Sequence, residues 1–551
     1  MIKRLISIML TLSILLLAVP VFAGSLVASG GCGKNSIWTS DDREVSNVTW
    51  SLWDDGTLFI SGNGEMQSYV YVDSFTPSTP PWYEYASSIK TVEVEEGVTN
   101  IGGKAFLNSK NLTNVILHES LRSIDFGAFS GCGSLKNLTI PNGVTTIGEN
   151  AFEFCYALET LDIPASVTSI HEDIFRQSDK ALKAINVSEN NNHYSSIDGV
   201  LFTKAKSTLI KYPCQKDGTE YTIPDGVKII GNSAFYDCSN LKSVTFSDSV
   251  TTIGTEAFDS CSSLTNVKLS KNLESIGFSA FQWTPITNIE IPYGVTTIES
   301  FAFANTPLTS VTSPGSVKHL DSQTFNFCNS LKSATISYGV EEISPYMFNY
   351  CESLENIVIP ATVKSIGKSA FFYCYDLEDI YYGGCEEEWN KININSDGSE
   401  TGQFAPGSTM FEDFNSVIGS AKIHFGSKLS GAQPIRIFIN EKEIETDQTP
   451  VLKNDRTLIP VRAVCENLNM DVNWTEETKT VEITEQKTGN KISMVIGAGK
   501  AYVNGTEVAL DQPPYQDKST FRTMVPVRFV SEALGYSVNW DEEEQIVSIS
   551  K

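Results

Sequence analysis

Cysteine recurs at one position of a repeated motif, and a thiol is a residue type that can act as a nucleophile or a metal ligand. The position lies three residues after a phenylalanine. That phenylalanine occurs at Phe106, Phe129, Phe152, Phe175, Phe235, Phe258, Phe281, Phe303, Phe325, Phe348 and Phe371. The third residue after each is Ser109, Cys132, Cys155, Ser178, Cys238, Cys261, Thr284, Thr306, Cys328, Cys351 or Cys374.

Because serine and threonine alternate with cysteine at this position, we interpret it as a small buried side chain rather than a catalytic or metal-binding one. Seven of the 11 cysteines occupy it, and the odd total favours reduced thiols over a disulfide framework. The alternative is that thiols stacked on neighbouring rungs, which would lie within disulfide reach, pair with one another.

Other catalytic patterns are weak in this sequence. His118, His171, His193, His319 and His424 show no metal-binding spacing. A stretch from Asn393 to Phe404 partly resembles a calcium loop but has phenylalanine where a bidentate glutamate is needed. Any two exposed carboxylates could be proposed as a glycosidase pair, and no pair stands out. The sequence therefore predicts no enzyme activity, no cofactor and no metal.

Charge and the N-terminal segment restrict the class of protein. The formal net charge of −26 argues against nucleic-acid binding and against docking on an anionic membrane. Residues 1–23 combine Lys3 and Arg4, an apolar run and a Val-Phe-Ala cleavage pattern, which predicts a secretory signal peptide; a retained membrane anchor is the alternative. No other run predicts a transmembrane anchor. We expect a secreted, extracellular protein held at the cell surface without a covalent link.

The spacing of the phenylalanines predicts how the chain is built. Seven of the ten intervals are 23 residues, two are 22 and one is 60. A fixed period of this size predicts a solenoid, in which stacked units bury a continuous apolar face. The segment between phenylalanines reads Leu-x-x-Leu-x-Ile-Pro-x-x-Val-x-x-Ile, which predicts one short strand, a proline stop and a second short extended edge.

Three segments break the period. Residues 24–90 contain Asp55-Gly56 between alternating apolar residues, which predicts a β-hairpin cap. The interval of 60 residues contains an extra 37 with Asp198-Gly199, which predicts a hairpin inserted near residues 190–222. Residues 381–428 are expected to form a C-terminal cap and linker. An aromatic cluster in the first cap is either cap core or a platform for a glycan: Tyr69, Tyr71, Phe75, Trp82, Tyr83 and Tyr85.

These units, with the "DGVLF" insertion, the "DDGTLFISGNGEM" entry and the "GGCEEEW" exit, resemble the BspA-like leucine-rich-repeat surface proteins of bacteria. The resemblance covers residues 30 to 425. It implies a mainly β fold, a right-handed curved solenoid over residues 91–380, and a non-enzymatic binding or adhesion role. It does not identify a ligand.

Residues 429–551 contain an internal duplication. "RTLIPVR" with Trp474 and "RTMVPVR" with Trp540 align, and hairpin signals at Ile439-Asn440 and Val503-Asn504 precede the two halves. This part resembles the copper amine oxidase N-terminal-like, or stalk, domain, which implies a small α+β accessory module. It has no histidine, so no copper is expected. Arg462 and Arg528 either bind an anionic polymer such as wall glycan or pair with carboxylates of the domain. The motif residues are Arg456, Pro460, Arg462, Trp474, Arg522, Pro526, Arg528 and Trp540.

A ligand is expected on the presumed concave face, where residues between the apolar strand positions point outward. The candidates are Asn137, Thr139, Thr160, Asp162, Ser243, Thr245, Asn266, Lys268, Asn288 and Glu290. We expect a partner that is a protein or glycan on a host or neighbouring cell. The protein's own cell wall is a second candidate partner, for the C-terminal module. The alternatives are a structural envelope protein without a specific ligand and a hydrolase with an unrecognised carboxylate pair.

Overall fold

The structure is a computed structural model, and it describes residues 24–34, 46–69, 79–171, 174–175, 180–292, 294–317, 319–394, 416–426, 435–444, 446, 450–453, 456–516, 522–541 and 545–551. The signal-peptide prediction, Tyr71, Phe75, Ser178 and most of the predicted calcium loop lie outside these residues. The chain divides into two compact units between His193 and Tyr194.

The first unit begins with an antiparallel cap. Strands β1 (Leu26–Gly31), β2 (Thr49–Trp53) and β3 (Thr57–Ser61) pair in order. Gly56 turns the β2–β3 hairpin with a positive φ of 89°, a conformation that glycine adopts without steric cost. β3 then pairs in parallel with the first rung, so the predicted hairpin cap is confirmed. A 3-10 turn follows at Tyr83–Tyr85.

Two rows of parallel strands build the rungs of the first unit. The first strand row comprises β4 (Thr91–Val94), β6 (Asn114–Ile116), β8 (Asn137–Thr139), β10 (Thr160–Ile163) and β12 (Ala184–Val187). The second strand row comprises β5 (Asn100–Ile101), β7 (Ser123–Ile124), β9 (Thr146–Ile147) and β11 (Ser169–Ile170). Equivalent residues of neighbouring units stand in register, as Leu161 does with Leu138.

The second unit opens with a hairpin. β13 (Tyr194–Ile197) and β14 (Val200–Thr203) are antiparallel around Asp198 and Gly199, which both have positive φ. β15 (Thr208–Lys211) pairs antiparallel with β14 and parallel with the next rung. This hairpin therefore extends the second strand row instead of standing apart from it.

The rungs of the second unit repeat the arrangement of the first. The first strand row comprises β16 (Glu220–Thr222), β18 (Ser243–Thr245), β20 (Asn266–Lys268), β23 (Ser310–Thr312), β25 (Ser333–Thr335), β27 (Asn356–Ile359) and β29 (Asp379–Tyr382). The second comprises β17 (Ile229–Ile230), β19 (Thr252–Ile253), β21 (Ser275–Ile276), β22 (Thr297–Ile298), β24 (His319–Leu320), β26 (Glu342–Ile343), β28 (Ser365–Ile366) and β30 (Asn393–Ile394).

A short exit closes this solenoid. Helix α1 (Glu386–Trp389) begins after Cys385, whose backbone N–H donates to Glu388 Oε2 at 2.9 Å. Helix α2 (Ser416–Ser420) leads to β31 (Lys422–His424), which pairs in parallel with β29. His424 Nε2 lies 2.7 Å from Asp379 Oδ1 across this pair, so the last rung is covered by one further strand.

An aromatic ladder forms the core of the rungs. In the second unit the rings of Phe258, Phe281 and Phe303 stack at centroid distances of 5.2 and 5.6 Å. Each ladder phenylalanine is essentially inaccessible to solvent, and burying such a side chain stabilises the fold by roughly 2–3 kcal/mol. Stacked pairs add about 1 kcal/mol.

Tyr212 takes the place of a ladder phenylalanine in the rung after the inserted hairpin. Its ring stacks on Phe235 at 4.8 Å and is buried. The prediction of one normal unit plus 37 extra residues did not identify this tyrosine, although it precedes Phe235 by the usual period.

The C-terminal domain is rich in strands. Its elements are β32 (Arg436–Ile439), β33 (Lys442–Ile444), β34 (Val451–Lys453), β35 (Arg456–Pro460), α3 (Val461–Asn467), β36 (Met470–Thr475), β37 (Thr480–Glu485), β38 (Lys491–Val495), β39 (Lys500–Val503), β40 (Thr506–Ala509), β41 (Tyr515–Gln516), β42 (Thr523–Pro526), α4 (Val527–Ala533), β43 (Ser537–Asp541) and β44 (Ile546–Ser550). The two predicted hairpins are β32–β33 and β39–β40.

The two halves of this domain are interlocked. Each half contributes one central strand, β35 or β42, and these pair antiparallel. Helix α3 contacts β42 and helix α4 contacts β35, so each helix packs on the other half's strand. The hairpin that precedes the first half joins the sheet of the second, because β32 pairs with β44. The duplicated α+β prediction is confirmed, and the exchange of hairpins is a finding of the structure.

Candidate functional site

The repeated cysteine position is buried and hydrogen-bonded between rungs. The thiol of Cys155 donates to the carbonyl of Phe129 at 3.2 Å, and Cys132 makes the same contact with Phe106 at 3.2 Å. The same contact recurs along the ladder: each thiol donates, at 3.0 to 3.2 Å, to the carbonyl of the ladder phenylalanine one rung earlier. The thiols are those of Cys261, Cys328, Cys351 and Cys374. The position therefore satisfies a buried carbonyl as well as filling space.

Burial also makes these thiols poor nucleophiles. It raises the pKa of Cys155 and of Cys374 to about 12, and it raises the pKa of Cys132 well above the ordinary value. Only the thiolate attacks or binds a metal. Threonine at this position donates within its own rung and not to the previous one. The hydroxyl of Thr284 donates to the Phe281 carbonyl at 2.7 Å.

One cysteine of the ladder differs from the expectation of reduced thiols. Cys238 forms a disulfide with Cys214, at a Cα–Cα distance of 4.5 Å. Cys214 follows Tyr212, so the disulfide joins the rung after the inserted hairpin to the next one. The preference for reduced thiols was wrong for this pair, because the irregular rung brings a second cysteine beside the ladder. The other nine cysteines of the described chain are not in disulfides.

The predicted ligand residues of the first unit lie together on the outward face of the first strand row. Asn137, Thr139 and Asp162 are exposed, and Thr160 is half-buried. The Thr160 hydroxyl lies 3.4 Å from Asn137 Oδ1, and Asn186 Nδ2 donates to Asp162 Oδ1 at 2.8 Å. They form an array of hydroxyl, amide and carboxylate groups linked from rung to rung.

In the second unit the predicted residues divide into two groups. Ser243 and Thr245 stand in register with Asn266 and Lys268, and Asn266 Nδ2 donates to Ser243 Oγ at 3.2 Å. Asn288 and Glu290 are exposed but belong to no strand, since residues 286–291, all described, have none. The interruption coincides with the first shortened 22-residue unit. The second strand row continues there without a break.

The aromatic cluster of the N-terminal cap is largely core. Trp82 is inaccessible and stacks on Phe106 at 6.0 Å, and its indole N–H donates to the Ala105 carbonyl at 2.8 Å. Tyr69 is buried against Trp82 at 6.0 Å. Tyr83 is exposed and Tyr85 is half-buried. Trp82 thus begins the aromatic ladder of the first unit.

A row of three aromatic residues on the turns, one exposed and two half-buried, was not predicted from the sequence. Phe327, Tyr350 and Tyr373 each lie two residues after a ladder phenylalanine, and all three have positive φ, from 58° to 62°. Their rings stack at 4.4 Å and 4.4 Å. A non-glycine residue in this conformation costs roughly 1–2 kcal/mol. The signal was in the sequence, as an aromatic residue at a fixed offset in three consecutive units. We call these three residues the aromatic turn row.

The motif residues of the C-terminal domain have mainly structural contacts. Arg456 forms a close ion pair with Asp511. Arg528 lies 3.9 Å from Glu532, one helical turn away. Arg462 is exposed and has no ion-pair partner among the described residues. Arg522 is also exposed.

The prolines and tryptophans of these motifs hold the interlocked core. Pro460 and Pro526 end the central strands and precede α3 and α4, with φ of −65° and −63°. Proline suits this junction because its ring fixes φ near that value. Trp474 and Trp540 are half-buried and pack on the core of the domain. The indole N–H of Trp474 donates to Glu476 at 2.7 Å.

One carboxyl group in the described residues has a raised pKa. Burial, and then the nearby charges of Glu256 and Asp237, raise the pKa of Asp259 to about 6. The Ser260 hydroxyl donates to Asp259 Oδ1 at 2.8 Å.

The described residues contain no group of three or more histidine, cysteine, aspartate or glutamate side chains placed to hold a metal ion. Across those same residues, no helix has the length and apolar character needed to span a membrane.

Comparison with known proteins gives the relationships of both parts. The family described as BspA type leucine rich repeat region matches residues 82–207, 212–332 and 274–395, in six copies. The family described as copper amine oxidase N-terminal domain matches residues 438–549. No curated protein matches the chain significantly.

Solved structures of bacterial repeat proteins are similar to the chain. A leucine-rich repeat protein from Eubacterium ventriosum is 28% identical, with 60% of this chain and 82% of that chain covered and a TM-score of 0.41. A leucine rich cell surface protein from Faecalibacterium prausnitzii is 26% identical, with coverage of 65% and 99% and a TM-score of 0.34. The repeat family spans more than half of this sequence, and the chain therefore belongs to the BspA-type leucine-rich-repeat proteins, with a copper amine oxidase N-terminal domain after the repeats.

Proposed function

We propose that this is a secreted, non-catalytic cell-surface protein that binds or adheres to a macromolecule on a host or neighbouring cell. The observation that carries the proposal is the BspA-type repeat region across residues 82–395. Repeat proteins of this architecture stack their units into extended binding surfaces. The chemistry of the repeats also supports binding over catalysis, because the thiols of Cys155 and Cys374 are buried and have raised pKa values.

The outward face of the first strand row is the proposed contact surface. Short hydroxyl and amide side chains there offer hydrogen-bond donors and acceptors, and Asn137 in the first unit and Asn266 in the second are exposed. Such groups bind the polar backbone of a polypeptide or a glycan through many weak hydrogen bonds. Asp162 and Lys268 add one charge of each sign.

The C-terminal domain is proposed to be a stalk or wall-associating module. We divide the chain into a signal peptide at 1–23, a cap at 24–90, the repeats at 91–380, a second cap and linker at 381–428, and this domain at 429–551. Arg462 supports the wall-associating role, because it is exposed and has no ion-pair partner among the described residues. An anionic wall polymer would attract such a cation.

A binding panel tests the proposal. The mature chain would be presented to matrix proteins, host-cell surfaces, glycans and isolated cell wall, beside a version that lacks residues 429–551. We expect saturable binding of a macromolecule by both versions and of cell wall only by the longer one. Absence of saturable binding would favour a structural envelope role, and turnover of a glycan or peptide would favour a hydrolase.

Matched variants locate the contact surface. Thr245→Arg with Asn266→Arg places two bulky cations on the outward face of the first strand row. Thr296→Arg with Thr297→Arg adds the same charge at exposed positions beside and on β22 in the second strand row. We expect only the first pair to weaken binding of the macromolecule. Equal effects would indicate that charge, not this face, governs binding.

A further inference from the structure

The aromatic turn row stands on turn segments whose conformation repeats after each ladder phenylalanine of the second unit. The residue two positions after the ladder phenylalanine has positive φ throughout the second unit. Elsewhere in that unit this position holds Asp237, Ser260 or Asn305, which are short polar residues, and an isolated Trp283. Only the last three rungs before the exit place an aromatic residue there in succession.

The row forms a continuous aromatic surface that is partly open to solvent, because Phe327 is exposed while Tyr350 and Tyr373 are half-buried. Phe327 is 39% exposed, and the ring planes of Phe327 and Tyr350 differ by only 9°. Phe372 meets Tyr373 edge to face at 4.2 Å, and Tyr375 meets it at 5.2 Å. Tyr375 is 65% exposed.

Folding does not account for this surface. The core beneath it is already filled by Phe325, Phe348 and Phe371, which are fully buried and stacked at 5.6 Å. Asparagine serves the same position in the neighbouring rung at Asn305 without an exposed ring. The row therefore combines an unfavourable backbone conformation with exposed apolar area, a combination that persists where a partner uses it.

The charges beside the row indicate the partner's chemistry. The turn segments 321–330, 344–353 and 367–376 are fully described, and their charged residues are Asp321, Glu352 and Asp376 with a single Lys368. Glu352 follows Tyr350 by two residues on the same turn segment, and burial, followed by Tyr373 and Glu352, raises the pKa of Tyr350. A second copy of this acidic chain would be repelled, whereas arginine both packs on aromatic rings and pairs with carboxylates.

We propose that the aromatic turn row, with Glu352 and Asp376, is a docking surface for a protein partner that presents arginine side chains interleaved with aliphatic ones. This inference rests on the proposed binding function and adds a second face and a partner chemistry to it. Tyrosine and arginine are the residues that most often dominate the energetics of protein interfaces.

A peptide probe tests the proposal. The probe is a synthetic sixteen-residue peptide of alternating arginine and leucine, with alternating glutamate and leucine as its counterpart, and affinity for the mature chain is measured by fluorescence anisotropy at physiological salt. We expect the arginine peptide to bind and the glutamate peptide not to bind. The triple variant Phe327→Asn, Tyr350→Asn, Tyr373→Asn should bind the arginine peptide at least about thirtyfold more weakly than the wild type.

Stability separates docking from a structural role. Asparagine tolerates positive φ better than an aromatic residue, so the triple variant should melt at the same temperature or higher. The matched control, Phe154→Asn with Phe301→Asn, replaces aromatics at two other positive-φ positions and should keep the affinity. Glu352→Gln with Asp376→Asn should weaken binding severalfold and reduce its dependence on salt.

Unchanged affinity of the triple variant, or equal loss in the control, would overturn the proposal. A different result would also overturn it: the wild type binds a glycan but not the arginine peptide, and the triple variant loses the glycan. The ligand of the row would then be a sugar. If the arginine peptide does not bind the mature chain while the panel ligand does, only this inference fails. If the mature chain binds nothing, the proposed function fails with it.

Discussion

Ile459 and Val525 lie opposite each other on the two central antiparallel strands of the C-terminal domain. They also occupy the same position of the duplicated motif, so an approximate twofold axis passes between them. Both are inaccessible to solvent. The symmetry explains why each helix packs on the strand of the other half and why neither half has a complete core alone.

Truncating this central pair should destabilise the whole domain. Ile459→Ala removes buried methylene groups at the axis, and we expect a loss of roughly 3 kcal/mol in the free energy of unfolding. Urea denaturation of the full chain, followed through the domain's tryptophans, measures it. Val495→Ala is the control, since Val495 is 38% exposed; a similar loss there would contradict the central role of the axis.

The cysteines should react in three classes. In the native protein a thiol reagent should modify one residue quickly, Cys385, because it is the exposed one of nine cysteines that are not in disulfides. Denaturant should raise the count to nine, and reduction should raise it to all 11. Cys385→Ser should abolish the fast reaction. Rapid modification of several native thiols would show that the ladder is not buried as described.

Ionisation of Asp259 should lower stability at neutral pH. Its pKa is raised by burial from an ordinary 3.8 to about 6, so the folded state favours the protonated form. The associated stability is fully present below pH 3.8 and is lost as pH rises through about 6. Asp259→Asn should therefore raise the free energy of unfolding at about pH 7.5 by on the order of 2 kcal/mol, and have little effect near about pH 4.

Thermal melts across this range check the pH effect. Asp248→Asn is the control, because Asp248 lies on the surface and pairs with Lys271 at 2.6 Å. A gain for Asp259→Asn that is the same at both ends of the range would contradict the assignment to this carboxyl group.

Asn191 should be essential to the end of the first unit's rungs. It is fully buried, and its amide donates to the carbonyls of Pro164 and Val167 at 2.8 and 2.9 Å. Asn191→Ala would leave both carbonyls without this donor, which costs roughly 2 kcal/mol. Asn186→Ala, at an exposed position, should change stability by less than about 0.5 kcal/mol. Chemical denaturation compares the two variants, and equal losses would refute the role of Asn191.

The periodic features of the fold could be predicted from the sequence because each unit must bury the same positions. The ladder phenylalanines, both strand rows and the hairpin turns at Gly56 and Gly199 follow from spacing and turn chemistry. Tyr212 was not predicted, because a tyrosine there takes the place of the repeated phenylalanine. The Cys214–Cys238 disulfide and the exchange of hairpins depend on contacts between distant segments, which periodicity does not contain.

The candidate site was predicted less well than the fold. Alternation along a strand places Asn137 and Asn266 on the outward face. It does not show that no strand forms around Asn288. The aromatic turn row lies on turns, where side-chain direction follows from φ values and not from a simple period. Phe327 therefore had no predicted orientation until the structure gave its backbone conformation.

The exchange of hairpins sets an order of events for the newly made chain. β32 is the first strand of the C-terminal domain to be synthesised, and its sheet partner β44 is the last. Until β44 has been synthesised, β32 has an unsatisfied edge and the domain has no closed core. The domain can therefore become protease-resistant only after its final residues are available, and a chain stopped shortly before β44 would be recognised by quality-control proteases as unfinished.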